Sequence, residues 1–192
     1  MLESNIKSFY KKHSKERFCQ GDILRDVKVS IDIPIEWQQS EGNTTDYDLP
    51  YCVIMTQDCD LDRDFESKKG EKLTNNDKHL PTILVCPAYR DLPFYEGKHL
   101  VGWKMQEYKG KALEKIQKND EINRCHFLKG DSTLQIPNLV IDFKHFYTLP
   151  TSILYEQYND IYLATINELF RERLSQRFAN YLSRFGLPEL KS

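Results

Sequence analysis

Ile6, Phe9 and Tyr10 stand three and four residues apart among lysines, a spacing that predicts a short amphipathic helix over residues 3–14. Cys19-Gln20-Gly21-Asp22 punctuates the chain. From Val27 through Val29 to Ile31, apolar residues alternate with polar ones, as in a strand with one buried face, which Pro34 ends. Residues 36–48 are polar and loop-like, with Trp37 their one large apolar residue. Tyr51-Cys52-Val53-Ile54-Met55 and Thr82-Ile83-Leu84-Val85-Cys86 are unbroken apolar runs that suit strands covered on both faces, the second stopped by Pro87. Between them, Asp58–Asn76 holds only Leu61, Phe65 and Leu73 as large apolar residues and reads as a long exposed loop.

Met105, Tyr108, Ala112, Leu113 and Ile116 form one stripe and predict a helix over 105–119. His126-Phe127-Leu128 and Leu139–Phe143 read as later strands, separated by a Gly130-Asp131 turn and Pro137. The period then changes: Ile166, Phe170, Leu174, Phe178, Tyr181 and Phe185 place a long helix at 158–185, with Gly186 and Pro188 as its stop. The composite is an α+β chain, a small β-barrel of about five or six strands with an inserted helix, an N-terminal helix and a long C-terminal helix. Its segments divide into 1–17, 18–152 with an insertion near 100–120, and 153–192.

Composition narrows the class. The 192 residues are 40% hydrophobic and 12% aromatic, enough for a core. No apolar run approaches the roughly 20 residues of a membrane span, and no apolar signal-peptide centre follows Met1, so a cytoplasmic protein without membrane contact is expected. Five cysteines without a CxxC pair suit reduced thiols rather than a disulfide framework. A net charge of -2 hides an acidic middle, Glu41–Glu66, between two mildly basic ends. Such asymmetry suits a polyanion at the ends or a cationic partner at the middle, although solvated faces would look the same.

Gln57-Asp58-Cys59-Asp60-Leu61-Asp62-Arg63-Asp64 is the most distinctive stretch. Its alternating aspartates could hold a hard cation, but the calcium-loop template fails, with Arg63 at position six and Lys69 at position twelve counted from Asp58. Cys59 could act as a nucleophile, or Asp58 and Asp60 could cap the loop while Cys59 packs as a small apolar residue. His13, His79, His99, His126 and His145 have no paired-ligand spacing to a cysteine, so no metal or cofactor is expected. Tyr89, Phe94, Tyr95, Trp103 and Tyr108 interleave with Arg90, Lys98 and Lys104. That mixture either stacks unpaired bases beside cations or covers the barrel mouth. Arg173, Arg177 and Arg184 fall roughly on one side of the terminal helix, where they could contact phosphates or pair with Glu172.

The order of segments resembles that of the MazF/PemK-type toxins. A Gly-Asp strand start (Gly21, Asp22) leads to a polar loop and the strand 51–55, then to a variable loop, the strand ending Val85-Cys86-Pro87, and a late strand with Asp142 and Phe143. The likeness covers residues 18–150 and implies an SH3-like small barrel and work on RNA. In that family an arginine before the apolar strand and a threonine after the later one serve ribonuclease chemistry. Here Pro50 or Tyr51 and Ala88 or Tyr89 stand at those places, so the resemblance implies the barrel without its reaction. Thr56-Gln57-Asp58-Cys59-Asp60-Leu61, Asp142-Phe143-Lys144 and the ending around Arg177-Phe178-Ala179 also resemble a group of uncharacterised bacterial proteins.

The leading expectation is therefore a degenerate, noncatalytic toxin-like binding module of a bacterial toxin–antitoxin or antiviral defence system. It would bind RNA, single-stranded nucleic acid or a protein partner through Gln57, Tyr89, Trp103, Lys104, Arg173 and Arg177, with a homodimer as an option for the apolar helix stripe. One alternative is an endoribonuclease with active groups relocated to Arg63, Arg90 or the Asp58–Asp64 loop. The other is a hydrolase using Cys59, flanked by Asp58 and Asp60.

Overall fold

A computed structural model describes residues 8–14, 16–32, 44–69, 76–100 and 102–183. Strands β1 (Tyr10–Lys11), β2 (Asp22–Asp32), β3 (Thr44–Ile54) and β4 (Thr82–Arg90) are followed by β5 (Cys125–Leu128), β6 (Leu139–Asp142), β7 (Tyr147–Pro150) and β8 (Tyr162–Ile166). Helices are α1 (Asp58–Lys69), α2 (Asp91–Tyr95), α3 (Lys111–Gln117), α4 (Thr151–Glu156), α5 (Tyr158–Ile161) and α6 (Glu168–Leu182). All eight strands form one antiparallel sheet in the order β1-β8-β2-β3-β4-β6-β5, with β7 also paired to β4. Among the described residues, no helix is long and apolar enough to cross a membrane.

The sheet is open: β1 and β5 are its two ends and do not pair with each other. It is also curled. A register shift between Ile23 and Leu24 and a left-handed Asp26 (φ 54°) bend β2. The two ends come close enough for the Tyr10 phenol to donate to the Lys129 carbonyl at 2.5 Å. The concave face gathers Ile23, Val53, Cys86, Ala88 and Ile141 into one core, which Leu174 and Phe178 of α6 cover. The same core takes Tyr10 of β1 and Leu163, Ala164 and Ile166 of β8, so segments far apart in sequence pack together in the sheet itself.

Alternate residues of the strands point to the convex face, which is covered in two patches. Leu24, Cys52, Ile54 and Val85 pack with Leu61 of α1, Leu154 of α4 and Ile161 of α5. Tyr89 and Val140 pack with Phe94, Tyr95, Tyr108 and Ile116 around α2 and α3. This two-sided cover explains why the strands at 51–55 and 82–86 have no polar alternation.

Several expectations need correcting. Residues 8–14 contain a strand where a helix was expected; residues 1–7 lie outside the described residues. Phe9 is 46% exposed and Tyr10 only 4%, a period-two contrast imposed by pairing with β8, where Tyr10 stands opposite Ile166. The stretch after Asp58 is a helix rather than a loop. Its first turn carries Asp58 and Asp60 and its last Lys68 and Lys69, matching the helix dipole, while Leu61 and Phe65 supply a narrow stripe. Asp64, buried on that helix, accepts from the Leu80 N–H at 2.9 Å and from Lys68 Nζ at 2.6 Å, tying α1 to the segment before β4.

Pro87 does not stop its strand. On one side β4 pairs with β7 up to Val85 and with β6 from Ala88, so the proline stands at the changeover, where that ladder is interrupted anyway. The helix expected over 105–119 is confined to Lys111–Gln117. The long helix expected at 158–185 is divided: α5 leads into β8, and only then does α6 begin. Leu163, Ala164, Thr165 and Ile166 are all buried between β1 and β2, which a helix with one exposed side could not achieve. Trp37, Arg184, Phe185, Gly186 and Pro188 lie outside the described residues.

Candidate functional site

The chain leaves the sheet at Arg90, forms α2, and doubles back through Gly97. The Met105 N–H donates to the Gly97 carbonyl at 3.2 Å and the Tyr108 N–H to the Tyr95 carbonyl at 2.8 Å. This return carries His99 and Trp103 over Tyr89, which sits buried on β4. Together with Asp48, Leu49 and Pro50 of β3, Leu100, and Tyr147 of β7 they line a pocket of about 440 Å³. The Tyr89 and His99 rings lie 4.8 Å apart and His99 and Phe94 4.5 Å apart, while Phe94 stacks on Tyr108 within 6° of parallel. Trp103 is 73% exposed at the mouth, and Lys104 beside it is exposed too.

Burial lowers the His99 pKa, with the charges of Arg124 and His145 adding to the effect and Asp142 opposing it, so the ring is neutral at physiological pH. Neither ring nitrogen makes a well-aligned hydrogen bond, although the Pro93 backbone lies near enough to act on the ring. Burial likewise raises the Tyr89 hydroxyl far above its ordinary value.

Nearby stands a buried ion pair. Arg124 Nε donates to Asp142 Oδ1 at 2.8 Å and its second guanidinium nitrogen to Oδ2 at 2.6 Å. The Lys144 N–H adds 3.0 Å to Oδ1, and His145 Nδ1 lies 3.1 Å from Oδ2. Burial alone would raise the Asp142 carboxyl, but Arg124 outweighs it and holds the group below the usual carboxylate range. Gly97 is the hinge on which this wall depends. Its φ is +68°, and a Cβ would lie 2.4 Å from the Met105 carbonyl oxygen. Gly97→Ala should therefore lower stability by roughly 1–3 kcal/mol in urea unfolding. An unchanged midpoint would show that the return can take another path.

A second, shallower cleft of about 520 Å³ is lined by Gln57, Asp58 and Cys59 at the start of α1, by Gln20, and by Arg171 and Ser175 of α6. Asp58 here is an anchor. The nearly fully buried Arg17 reaches both of its oxygens at 3.2 Å, approaches Asp62 at 3.0 Å and donates to the Phe18 carbonyl at 2.9 Å. Cys59 is exposed, and its sulfur meets Gln57 Oε1 at 3.6 Å and Asp60 Oδ1 at 3.8 Å. Neither is the imidazole that nucleophilic thiols call on.

Of the residues singled out from the sequence, the structure thus joins Tyr89 with Trp103, and Gln57 with Asp58 and Cys59. Asp60 and Arg63 face each other loosely at 3.9 Å on the solvent side of α1. Arg63 and Arg90 are exposed and line neither cleft. Arg173 borders an apolar gap of about 270 Å³ between β1 and β5. Arg177, expected at a phosphate, is turned inward instead: it donates to the carbonyls of Asn119, Ile122 and Cys125 at 2.7–3.1 Å, clamping α6 to the approach to β5.

Two groups escaped sequence reading. His99 carried no local pattern. His13, Cys19 and Asp22 converge beside Thr165, a residue 143 positions from Asp22, so that only the β2–β8 pairing brings it there. No protein-family model matches the chain, and none of the curated proteins matches it in sequence.

Proposed function

We propose that this chain is a noncatalytic, toxin-like binding module that takes an unpaired base of single-stranded RNA into the pocket of Tyr89, His99, Trp103 and Tyr147. The observation that carries this reading is an indole left 73% exposed at a pocket that the buried Tyr89 ring and the half-buried His99 ring, 4.8 Å apart and tilted, also line. Large aromatic rings held at a pocket mouth offer a base its stacking surface whatever its identity. The neutral His99 ring and the Asp48 carboxylate supply polar edges, and Lys104 supplies a cation for the adjoining phosphate.

A distant tie to MazF/PemK-type toxins, and with it a cytoplasmic place in a toxin–antitoxin or defence system, belongs to the same proposal. The curled antiparallel sheet, with its ends linked by Tyr10 and Lys129, supports that tie. A ribonuclease with relocated groups would need Arg63 or Arg90 in a cleft with the Asp58–Asp64 stretch, and neither lines the cleft that holds Asp58.

Titration with a short single-stranded RNA, followed by tryptophan fluorescence and anisotropy, tests the proposal. Binding should weaken as salt rises, and the RNA should be recovered intact. Trp103→Ala should reduce affinity by about 10-fold or more, in line with roughly 1–3 kcal/mol per stacked base. Equal binding by that variant, or cleavage of the RNA, would overturn the reading.

A further inference from the structure

At the other side of the sheet, the turn between β1 and β2 and the strand β8 enclose a cluster of different chemistry. We infer that His13, Cys19 and Asp22 form a binding site for a divalent transition-metal ion of zinc's class, which would pin β1 to β2 beside β8.

One ligand atom from each of the three residues lies within 4.8 Å of the other two. His13 Nε2 is 3.2 Å from both Asp22 oxygens, so the imidazole faces the open edge of the carboxylate rather than one oxygen. All three are inside: the Asp22 side chain is fully buried, the His13 side chain is 10% exposed, and Cys19 is 4% exposed. His13 Nδ1 is buried with no hydrogen-bond partner. In the ion-free chain Nε2–H faces the carboxylate as a donor; a metal ion would take the place of that proton, with Nδ1 then carrying the ring's N–H.

The surroundings are those of a ligand set held in place. The Thr165 hydroxyl donates to Asp22 Oδ1 at 2.6 Å, and the Cys19 N–H donates to Oδ2 at 2.7 Å. The Tyr162 hydroxyl lies 3.0 Å from Thr165 Oγ1 and accepts from the His13 N–H at 3.1 Å. Hydrogen bonds of this kind orient the carboxylate and the imidazole-bearing backbone before any ion arrives.

The ligand types select the ion. A thiol, an imidazole and a carboxylate suit zinc, cobalt or ferrous iron, whereas calcium and magnesium ask for six or more oxygens. Three protein ligands leave a fourth tetrahedral position for water or another ligand. A divalent cation would also offset the charge of the buried Asp22 carboxylate and the charge that the Cys19 thiol takes on when it gives up its proton to the metal.

The full chain, stripped with a chelator and dialysed, is titrated with cobalt and with zinc. One equivalent of cobalt should produce visible absorption of a tetrahedral site together with a sulfur-to-cobalt charge-transfer band, and zinc should displace it and raise the melting temperature. Cys19→Ser should abolish the charge-transfer band, and His13→Gln should weaken cobalt binding at least 10-fold. Cys59→Ser, which removes the exposed thiol, should change neither. Circular dichroism checks that each variant is folded. The wild-type titration decides the matter even where a variant is not: no band at one equivalent and no shift in melting temperature would leave only a His13–Asp22 hydrogen bond. A band lost in Cys59→Ser but kept in Cys19→Ser would place the ion elsewhere. Either result overturns the assignment.

Discussion

Arg124→Met should lower the free energy of unfolding by roughly 3–5 kcal/mol, because it leaves the Asp142 carboxylate buried without its counter-charge. Asp142 is fully buried and receives both arms of the guanidinium at 2.8 and 2.6 Å. It stands at the end of β6, where its side chain also accepts from the Lys144 N–H and starts the following 3₁₀ turn. Asp142→Asn keeps that turn bond and removes one charge, and the double variant Arg124→Met/Asp142→Asn should recover part of the loss of the first. Urea unfolding of the three variants measures this directly. A single-variant loss below about 1 kcal/mol would mean that water or a rearranged side chain compensates the charge. Because the folded carboxyl lies below its ordinary value, its contribution is complete above the ordinary aspartate pKa and disappears as pH falls through the folded one.

A second large effect comes with acid at a different residue. His126 on β5 is buried, and burial, reinforced by the charges of Arg177 and Arg173, pulls its pKa down to about 3. In the unfolded chain the same imidazole titrates near 6.5. Between those values the unfolded state takes up a proton that the folded state refuses, so stability falls as pH drops. The slope approaches about 1.4 kcal/mol per pH unit, or roughly 2–3 kcal/mol between pH 6.5 and 4.5. His126→Leu should remove its share of this slope, leaving the share of His99, whose pKa is also lowered, and the decline at lower pH that belongs to Asp142. Denaturation midpoints at a series of pH values separate the two. If the leucine variant keeps the full slope above pH 4.5, the proton uptake belongs to another group.

The sequence displayed some of this plainly and hid the rest for physical reasons. Strands 51–55 and 82–86 were visible because both of their faces are covered. The stripe at Phe170, Leu174, Phe178 and Tyr181 was visible because α6 lies on a single concave surface. Helix α1 was obscured because the only apolar side chain it buries is Leu61, with Phe65 half-buried, and its other buried residue is a carboxylate, Asp64. Strand β8 was read as helix because a short apolar run fits either period until its neighbours on both sides are known.

The same holds for the sites. Tyr89 and Trp103 were legible as an aromatic cluster beside lysines, and the fold does bring them together. The place of His99 between them depends on the reversal at Gly97, and that of Asp48 and Tyr147 on strand pairing. Arg177 was a reasonable phosphate contact by helical phase. What redirected it was three backbone carbonyls, those of Asn119, Ile122 and Cys125 leading into β5, that no helical wheel displays.

The position of β8 has a consequence for how the molecule is made. It lies between β1 and β2, so Tyr10 meets its partner Ile166, and Asp22 meets Thr165, only after the chain through residue 166 has left the ribosome. Until then the outer edge of β2 offers its backbone groups to any passing strand, which is the circumstance in which nascent chains stick to one another. Acquisition of the native sheet is thereby postponed until β8 has been made, and a truncated product stopping before residue 162 would be a natural client for chaperones.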